Sequence, residues 1–224
     1  MKAPLTEKLK RIKLIAIDLD GTLLSDGKEL SEGNIKQIKR VREMGYLISF
    51  ITGRMYGAAR PFAEVLNLDS PLVCLNGTVI RHSRTGEIIH HNPIPKGLED
   101  KVLEIAEAYP VHIFLYTMDE VYLRDVPTII KEYLEKWAVN FRKVESFSTE
   151  KLPPLSQILI IGDRDILWSL KLEIEDSLDS RFSFFHYPSL RLPLWYLEIK
   201  NSGDSKGSGL RFLRKYFGLL KSEV

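Results

Sequence analysis

Two aspartates separated by a single residue form the sharpest chemical signal in the sequence. Asp18 and Asp20 stand in the segment Asp18-Leu19-Asp20-Gly21, directly after an apolar run. Carboxylates at positions i and i+2 of a strand point to the same side. Such a pair suits Mg²⁺, which binds a few carboxylates together with water and phosphate oxygens. The pattern is also compatible with a strand end at which an aspartate caps a glycine turn.

Polar residues also follow the next two apolar segments. Thr52-Gly53-Arg54 comes after one of them and Asn76-Gly77 after the other. A hydroxyl and the backbone N–H groups of a strand-to-helix turn can hold a phosphoryl oxygen. The alternatives are that Thr52 is a helix N-cap, that Arg54 is an exposed helical residue, and that Asn76 belongs to a two-residue turn.

The elements that would position these residues can be read from the apolar runs. Residues 12–19, 46–51 and 71–75 predict buried strands, and helices are predicted to begin at Ser31 and near Tyr56. This alternation is typical of an α/β fold with a doubly wound parallel sheet and right-handed crossovers. In such sheets ligands bind beyond the carboxyl ends of the strands, where the two aspartates stand.

The alternation changes after the third strand. We predict a hairpin that turns at Thr85-Gly86, then mixed helices and strands, and a last amphipathic helix over 206–217. The mixed segment has the length of a small domain. We therefore expect residues 1–80 and 195–224 to form a core domain, and residues 81–194 to form an inserted α+β domain.

Composition narrows the function classes. The net charge of +2 gives no bulk attraction to nucleic acid or to a membrane, and the lysine-rich opening with Lys2, Lys8 and Lys10 is interpreted as a solvated segment. The single cysteine, Cys74, excludes an intramolecular disulfide and a cysteine-only zinc site. Because no stretch reaches the roughly 18 apolar residues of a membrane span, we expect a cytoplasmic protein that binds neither nucleic acid nor membrane.

The segment Asp18-Leu19-Asp20-Gly21-Thr22-Leu23-Leu24 resembles the opening signature of the haloacid dehalogenase superfamily. Phe50-Ile51-Thr52-Gly53-Arg54 resembles the second motif in the form that is typical of the Cof-type subfamily with a large type-II cap. Asn76-Gly77 and Ser205-Lys206-Gly207 resemble later motifs of that subfamily in the same order. The resemblance implies an α/β core with an inserted cap, and it covers essentially the whole chain.

The resemblance also implies an activity, namely Mg²⁺-dependent hydrolysis of a small phosphorylated metabolite such as a sugar phosphate or phosphoglycolate. Asp18 would attack phosphorus, Asp20 would transfer protons, and Thr52 and Lys206 would hold phosphoryl oxygens. The Asp18 carboxylate and the Asp20 backbone carbonyl would hold the metal. Further substrate-binding residues would be Gly21, Gly53, Arg54 and Asn76, and cap residues that could line the site are His112, Tyr116, Tyr122, Arg124, His186 and Tyr187.

The pattern departs from this family at one point. Its fourth motif, Gly-Asp-x-x-Asn-Asp, would follow the Lys206 helix, but the sequence ends at Val224. Ile161-Gly162-Asp163-Arg164-Asp165 lies too early in the chain, and we interpret Asp163 or Asp165 as a helix N-cap and not as a metal ligand. We therefore expect the C-terminal core strands to be missing, which would leave a sheet edge that a second copy could cover.

Two alternatives stay open. The chain could be a truncated or impaired protein that keeps the fold and binds a phosphorylated ligand or a partner. A phosphoryl-transferring mutase is disfavoured, because mutases of this superfamily usually carry a smaller helical cap.

Overall fold

The computed structural model describes residues 11–24, 29–124, 126–178, 182–189 and 192–224. Lys2, Lys8 and Lys10 of the lysine-rich opening lie outside these described residues. The chain divides into two compact units. The first comprises Met1–His90 and Ser205–Val224, and the second comprises His91–Asp204.

The first unit begins with the expected alternation of strands and helices. The elements are β1 (Leu14–Ile17), α1 (Glu32–Glu43), β2 (Leu47–Phe50), α2 (Tyr56–Val65) and β3 (Pro71–Cys74). β1 and β2 are parallel, with Leu14 opposite Leu47 and Ile17 opposite Phe50, and a parallel bridge joins Ile51 to Val73 of β3. The Ser31 side chain caps α1 by accepting from the N–H of Asn34. The three strand ends therefore lie side by side.

The rest of the first unit is a hairpin and a helix. Strands β4 (Val79–His82) and β5 (Ile88–His91) follow β3 in the sheet order β3-β4-β5, and β4 is antiparallel to β3. Helix α6 (Lys206–Tyr216) contributes Leu213 to the apolar core of this unit. The fold is thus α/β with mixed sheets, and the sheets are not parallel throughout as the alternation alone predicted.

The second unit is built on one mixed sheet. Its six strands have the order β10-β11-β9-β6-β7-β8. Their bounds are β6 (His112–Tyr116), β7 (Val121–Leu123), β8 (Phe141–Lys143), β9 (Gln157–Gly162), β10 (Phe182–Pro188) and β11 (Trp195–Asn201), and the helices are α3 (Leu98–Ala106), α4 (Thr128–Leu134) and α5 (Arg164–Ser177). Apolar side chains of α3 and α5 pack on one sheet face in a single buried cluster, as expected for an α+β arrangement.

The unit boundaries lie ten residues beyond the expected ones at both ends. We expected the inserted domain to comprise 81–194, whereas the second compact unit comprises His91–Asp204. β4 is paired with β3, which keeps the hairpin with the first unit. β11, which we expected to lead back to the core, pairs with both β9 and β10 and so belongs to the second unit.

The Gly162-Asp163-Arg164-Asp165 segment is a strand-to-helix turn, as predicted. β9 ends at Gly162 and α5 begins at Arg164. Asp163 is the N-cap, and its carboxylate accepts from the N–H groups of Asp165 and Ile166. Its carboxylate thus serves the two donors that open the helix.

None of the helices in the described ranges combines the length and the apolar character required to cross a membrane.

Candidate active site

The candidate site is built where the first three strands end. Asp18 follows β1, Thr52 lies two residues after β2, and Asn76 lies two residues after β3. Backbone hydrogen bonds continue past the strands and tie these ends together: Ile51 donates to the Ile17 carbonyl at 2.9 Å, Thr52 to Val73 at 2.9 Å, and Asn76 to Thr52 at 3.0 Å. The carboxyl edge of the sheet therefore collects the polar residues that the sequence singled out.

The first charged pair of the site joins Asp18 to Lys206. The ammonium Nζ of Lys206 lies 2.6 Å from Oδ2 of Asp18, and Oδ1 of Asp18 accepts from the N–H of Leu19 at 2.8 Å. The two side chains remain 35% and 45% exposed, so a ligand can reach them. A cation beside a carboxylate at a strand end can offset the charge of an incoming phosphate.

Lys206 is held by the start of its helix. It is the first residue of α6 and lies between the two serines of a capping box. The N–H of Ser208 donates to Ser205 Oγ at 3.0 Å, and the N–H of Ser205 donates to Ser208 Oγ at 2.8 Å. These bonds satisfy backbone N–H groups at the helix start that have no acceptor within the helix, and they fix where the helix begins.

Two glycines let α6 approach the sheet closely. Gly77 has a φ of +106°, and a Cβ atom at this position would lie 2.5 Å from the Ser205 carbonyl oxygen. A Cβ atom at Gly209 would overlap the side chain of Val73 in β3. Larger residues at either position would push the start of α6, and with it Lys206, away from Asp18.

The second charged pair joins Asp20 to Arg54. Nε of Arg54 donates to Oδ2 of Asp20 at 2.9 Å, and Nη2 donates to Oδ1 at 2.7 Å. Arg54 is only 3% exposed, whereas the Asp20 side chain is 32% exposed. The sequence placed Arg54 among the substrate-binding residues. The structure shows its guanidinium bound to both oxygens of the predicted proton-transferring carboxylate, and substrate binding by Arg54 stays a prediction.

Thr52, Asn76, Gly53 and Gly21 complete the predicted set. Thr52 is fully buried, and its Oγ1 accepts from the N–H of Arg54 at 3.1 Å, which leaves the hydroxyl proton for another acceptor. Asn76 has a φ of +53°, and its amide lies over Gly53, where a Cβ atom would be 3.3 Å from Oδ1. Gly21 has a φ of +72°, the conformation that turns the chain after Asp20.

The expected cap residues do not share one surface. His186 and Tyr187 are neighbours on β10 and so project to opposite sheet faces. Tyr122 packs against the apolar cluster under α3 and α5. Tyr116 is 3% exposed, and burial raises the pKa of its phenol far above the usual range. These residues thus differ in sheet face and in burial, and which of them line the site stays a prediction.

Two contributors to the site were not predicted from the sequence. The Ser205–Ser208 capping box could have been found from the spacing of the two serines around the helix start. Phe62, whose ring centroid lies 5.1 Å from the Arg54 guanidinium carbon, could not have been found. It sits on α2, and only packing brings its ring to Arg54.

The oxygen atoms near Asp18 fit a Mg²⁺ ion in their chemistry. Among the described residues no three His, Cys, Asp or Glu side chains converge on one point. Mg²⁺ does not require such a cage, since it keeps several waters and uses one or two carboxylates with substrate phosphates. The Asp18 carboxylate is partly exposed and supplies hard oxygen donors of this kind.

Comparisons with known proteins agree with this arrangement. Residues 15–224 match the family model of the haloacid dehalogenase-like hydrolases. The chain is 28% identical over 209 residues to the pyridoxal phosphate phosphatase YbhA of Escherichia coli K12, covering 88% of this chain and 74% of the relative. It is 26% identical over 218 residues to the 5-amino-6-(5-phospho-D-ribitylamino)uracil phosphatase YitU of Bacillus subtilis 168, covering 94% and 77%.

Among solved structures, a haloacid dehalogenase-like hydrolase from Bacteroides thetaiotaomicron superposes with a TM-score of 0.83 at 25% identity, covering 95% of this chain and 80% of that one. The strand-end aspartates, the Thr-Gly-Arg turn and the lysine at the start of α6 thus occur in a chain whose sequence and fold both match one family. The chain belongs to the haloacid dehalogenase-like hydrolases, as a phosphatase of their Cof-type subfamily.

Proposed function

We propose that this chain is a Mg²⁺-dependent phosphomonoester hydrolase that acts on a small phosphorylated metabolite through an aspartyl-phosphate formed on Asp18. The observation that carries the proposal is the 2.6 Å contact between Lys206 Nζ and Asp18 Oδ2 at the carboxyl edge of the sheet. It places a cation beside a reachable carboxylate, as in-line attack on a phosphate dianion requires.

The reaction has two halves. In the first, an Asp18 oxygen forms a bond to phosphorus while the bond from phosphorus to the leaving oxygen breaks, and Asp20 supplies a proton to that oxygen. In the second, water attacks phosphorus, the phosphorus–Asp18 bond breaks, and Asp20 receives a proton from the water. The products are the alcohol and inorganic phosphate, and both aspartates return to their starting state.

Other residues of the strand edge would hold the phosphoryl group. Lys206 would offset its charge, and Thr52, whose Oγ1 accepts from the N–H of Arg54, keeps a hydroxyl proton that it would donate to one of the phosphoryl oxygens. Gly21 and Gly53 place backbone without side chains in the two turns beside the aspartates. Asn76, with its amide over Gly53, shapes the side of the pocket.

Mg²⁺ would be held by the Asp18 carboxylate and the backbone carbonyl of Asp20. When bound, it supplies positive charge that neutralises phosphoryl oxygens during transfer. This proposal is supported by the hard-oxygen donors at the site and by membership of a family that typically uses Mg²⁺.

The substrate we propose is a phosphate ester of a small metabolite, of the sugar phosphate or phosphoglycolate class. The two relatives named above act, by their names, on pyridoxal phosphate and on a phosphoribitylamino-uracil, which supports a small phosphorylated molecule in general. We also propose that the second unit is the type-II cap of this family, since it is a single α+β insertion between two parts of the first unit.

Phosphate release tests the proposal. The full chain would be assayed with p-nitrophenyl phosphate, sugar phosphates, phosphoglycolate and pyridoxal phosphate, with and without Mg²⁺. We expect Mg²⁺-dependent release that is abolished in Asp18→Asn. If no substrate is hydrolysed while phosphate esters still raise the melting temperature, the hydrolase proposal is wrong and a ligand-binding protein is favoured.

A further inference from the structure

The bidentate pair between Arg54 and Asp20 is more than a general charge contact. Both Asp20 oxygens accept from one guanidinium, at 2.7 and 2.9 Å. Two parallel N–H···O bonds fix the plane of a carboxylate as well as its position, which a single bond to a lysine would not do. The rotamer of Asp20 is therefore set by Arg54.

Arg54 is itself held on several sides. Its N–H donates to Thr52 Oγ1 at 3.1 Å, and its carbonyl accepts from the N–H of Leu75 at 3.0 Å. Its guanidinium lies over the ring of Phe62, and the whole residue is only 3% exposed. The orientation of Asp20 is thus imposed by a buried, anchored group and not by solvent.

The two halves of the reaction need Asp20 in different protonation states, and these states differ in how they can bind Arg54. An ionised carboxylate offers about four lone-pair sites and no donor. Arg54 uses two of these sites, so the remaining ones can still accept a proton from water. A carboxyl that donates to a leaving group needs an O–H on one oxygen, and that oxygen is then a poorer acceptor for Arg54.

From this geometry we propose that Arg54 is a positioning residue for the second half of the reaction, in which it holds Asp20 oriented to accept a proton from the attacking water. The proposal rests on the hydrolase function proposed above. In the step concerned, the water oxygen bonds to phosphorus, one water proton passes to a free lone pair of Asp20, and the phosphorus–Asp18 bond breaks with its electrons returning to the Asp18 carboxylate.

This role predicts an unequal effect on the two halves. 4-Nitrophenolate is a good leaving group and departs without a proton, so its release in the first half does not need Asp20. Hydrolysis of the aspartyl-phosphate needs the oriented Asp20 for every substrate. Without Arg54, the phosphorylated chain should therefore accumulate.

Rapid-mixing kinetics with p-nitrophenyl phosphate and saturating Mg²⁺ test the inference on the full chain. We would compare the native chain, Arg54→Ala, Arg54→Lys and the control Arg60→Ala, which removes an exposed arginine of α2, the helix that follows Arg54, where it pairs with Glu64. In Arg54→Ala we expect a burst of about one nitrophenolate per chain at a native-like rate, followed by turnover that is slower by about 10- to 100-fold. This loss is smaller than the full contribution of a general base, about 10²- to 10⁴-fold, because Asp20 itself is retained.

The remaining variants sharpen the result. Arg54→Lys keeps the positive charge but cannot make two parallel hydrogen bonds to Asp20, so it should also show the burst. Arg60→Ala should match the native chain. Millimolar guanidinium should raise the slow turnover of Arg54→Ala, and its melting temperature shows whether it folds. If Arg54→Ala does not fold, Arg54→Lys alone decides.

An equal fall of burst rate and turnover, or no fall in either, would overturn the role of Arg54 while leaving the hydrolase intact. Absence of Mg²⁺-dependent turnover in the native chain would instead remove the proposed function on which this role depends.

Discussion

The Lys206 ammonium lies 2.6 Å from Oδ2 of Asp18, although 188 positions separate the two residues in the sequence. The contact depends on the close packing of α6 against β3. This packing is possible because Gly77 and Gly209 have no side chains, which would collide with the Ser205 carbonyl and with Val73 respectively. The position of Lys206 beside Asp18 therefore depends on packing at two glycines that carry no functional group. The effect of this packing on activity can be tested separately from the effect of the Lys206 charge.

The charge of Lys206 should matter for activity and little for stability. Replacing it in Lys206→Ala should lower phosphate release by about 100- to 1,000-fold, the loss typical when one preorganised donor to a developing charge is removed. Because both partners are more than a third exposed, the free energy of unfolding should change by less than about 1 kcal/mol. Lys215→Ala, an exposed lysine on the same helix, is the control and should leave both quantities unchanged.

Gly77→Ala should reduce both stability and activity. A non-glycine residue in the left-handed region costs about 1–2 kcal/mol, and here the new Cβ would also meet the Ser205 carbonyl oxygen. Gly218→Ala is the matched control, since Gly218 also has a positive φ (+64°) but nothing within 4 Å of its Cβ position. Urea denaturation should show a larger loss for Gly77→Ala, and phosphate release should fall only in that variant. Equal losses in both would contradict a steric role for Gly77.

Cys74 should be inert in the folded protein. It is the single cysteine of the chain and is fully buried, and burial raises the pKa of its thiol to about 12. The thiolate is the reactive form, so a disulfide-exchange reagent near pH 8 should not react with the native chain and should react with one thiol per chain after denaturation. Fast reaction of the native chain would show that the β3 region opens readily.

His186 should make stability depend on pH. Burial, with added repulsion from Arg164 and Lys171, lowers the pKa of its imidazole, whose Nε2 is buried with no hydrogen-bond partner among the described residues. The unfolded histidine has a pKa of about 6.5 and so binds more protons than the folded one. Stability should therefore fall as the pH drops through about 6.5, and this contribution levels off below the folded pKa.

The variant His186→Phe isolates this contribution. The decrease in the urea midpoint from about pH 7.5 to about pH 5 should be smaller in His186→Phe than in the native chain. Tyr187→Phe, at the next position of β10, is the control, because a phenol ordinarily titrates near pH 10, outside this range, and burial raises the pKa of this one further. An unchanged pH dependence in His186→Phe would contradict the prediction.

Local patterns were sufficient to place the strands that carry the site. The apolar runs before Asp18, Thr52 and Asn76 are strands within two residues of the predicted bounds. Short apolar runs that are bounded by glycine and polar residues are typical of buried strands. The N-cap at Asp163 was also predictable, since an aspartate satisfies the first helical N–H groups through contacts within three residues.

Strand partners were not predictable in the same way. The hairpin that contains β4 was predicted from the sequence and residues 195–224 were assigned to the core domain, but the choice of partner strand decides which unit β4 and β11 each join. That choice depends on packing between segments far apart in the chain, so the division after His90 and Asp204 came only from the folded structure.

The sequence by itself determined which residues could do chemistry and that three of them end neighbouring strands. Only the tertiary structure showed two of their partners: Lys206 lies against Asp18, and Arg54 binds Asp20. The physical reason is that hydrogen bonds of about 3 Å are formed by side-chain orientation. That orientation is fixed by how closely α6 packs against β3 and by the burial of Arg54 against Phe62, and neither leaves a pattern in the local sequence.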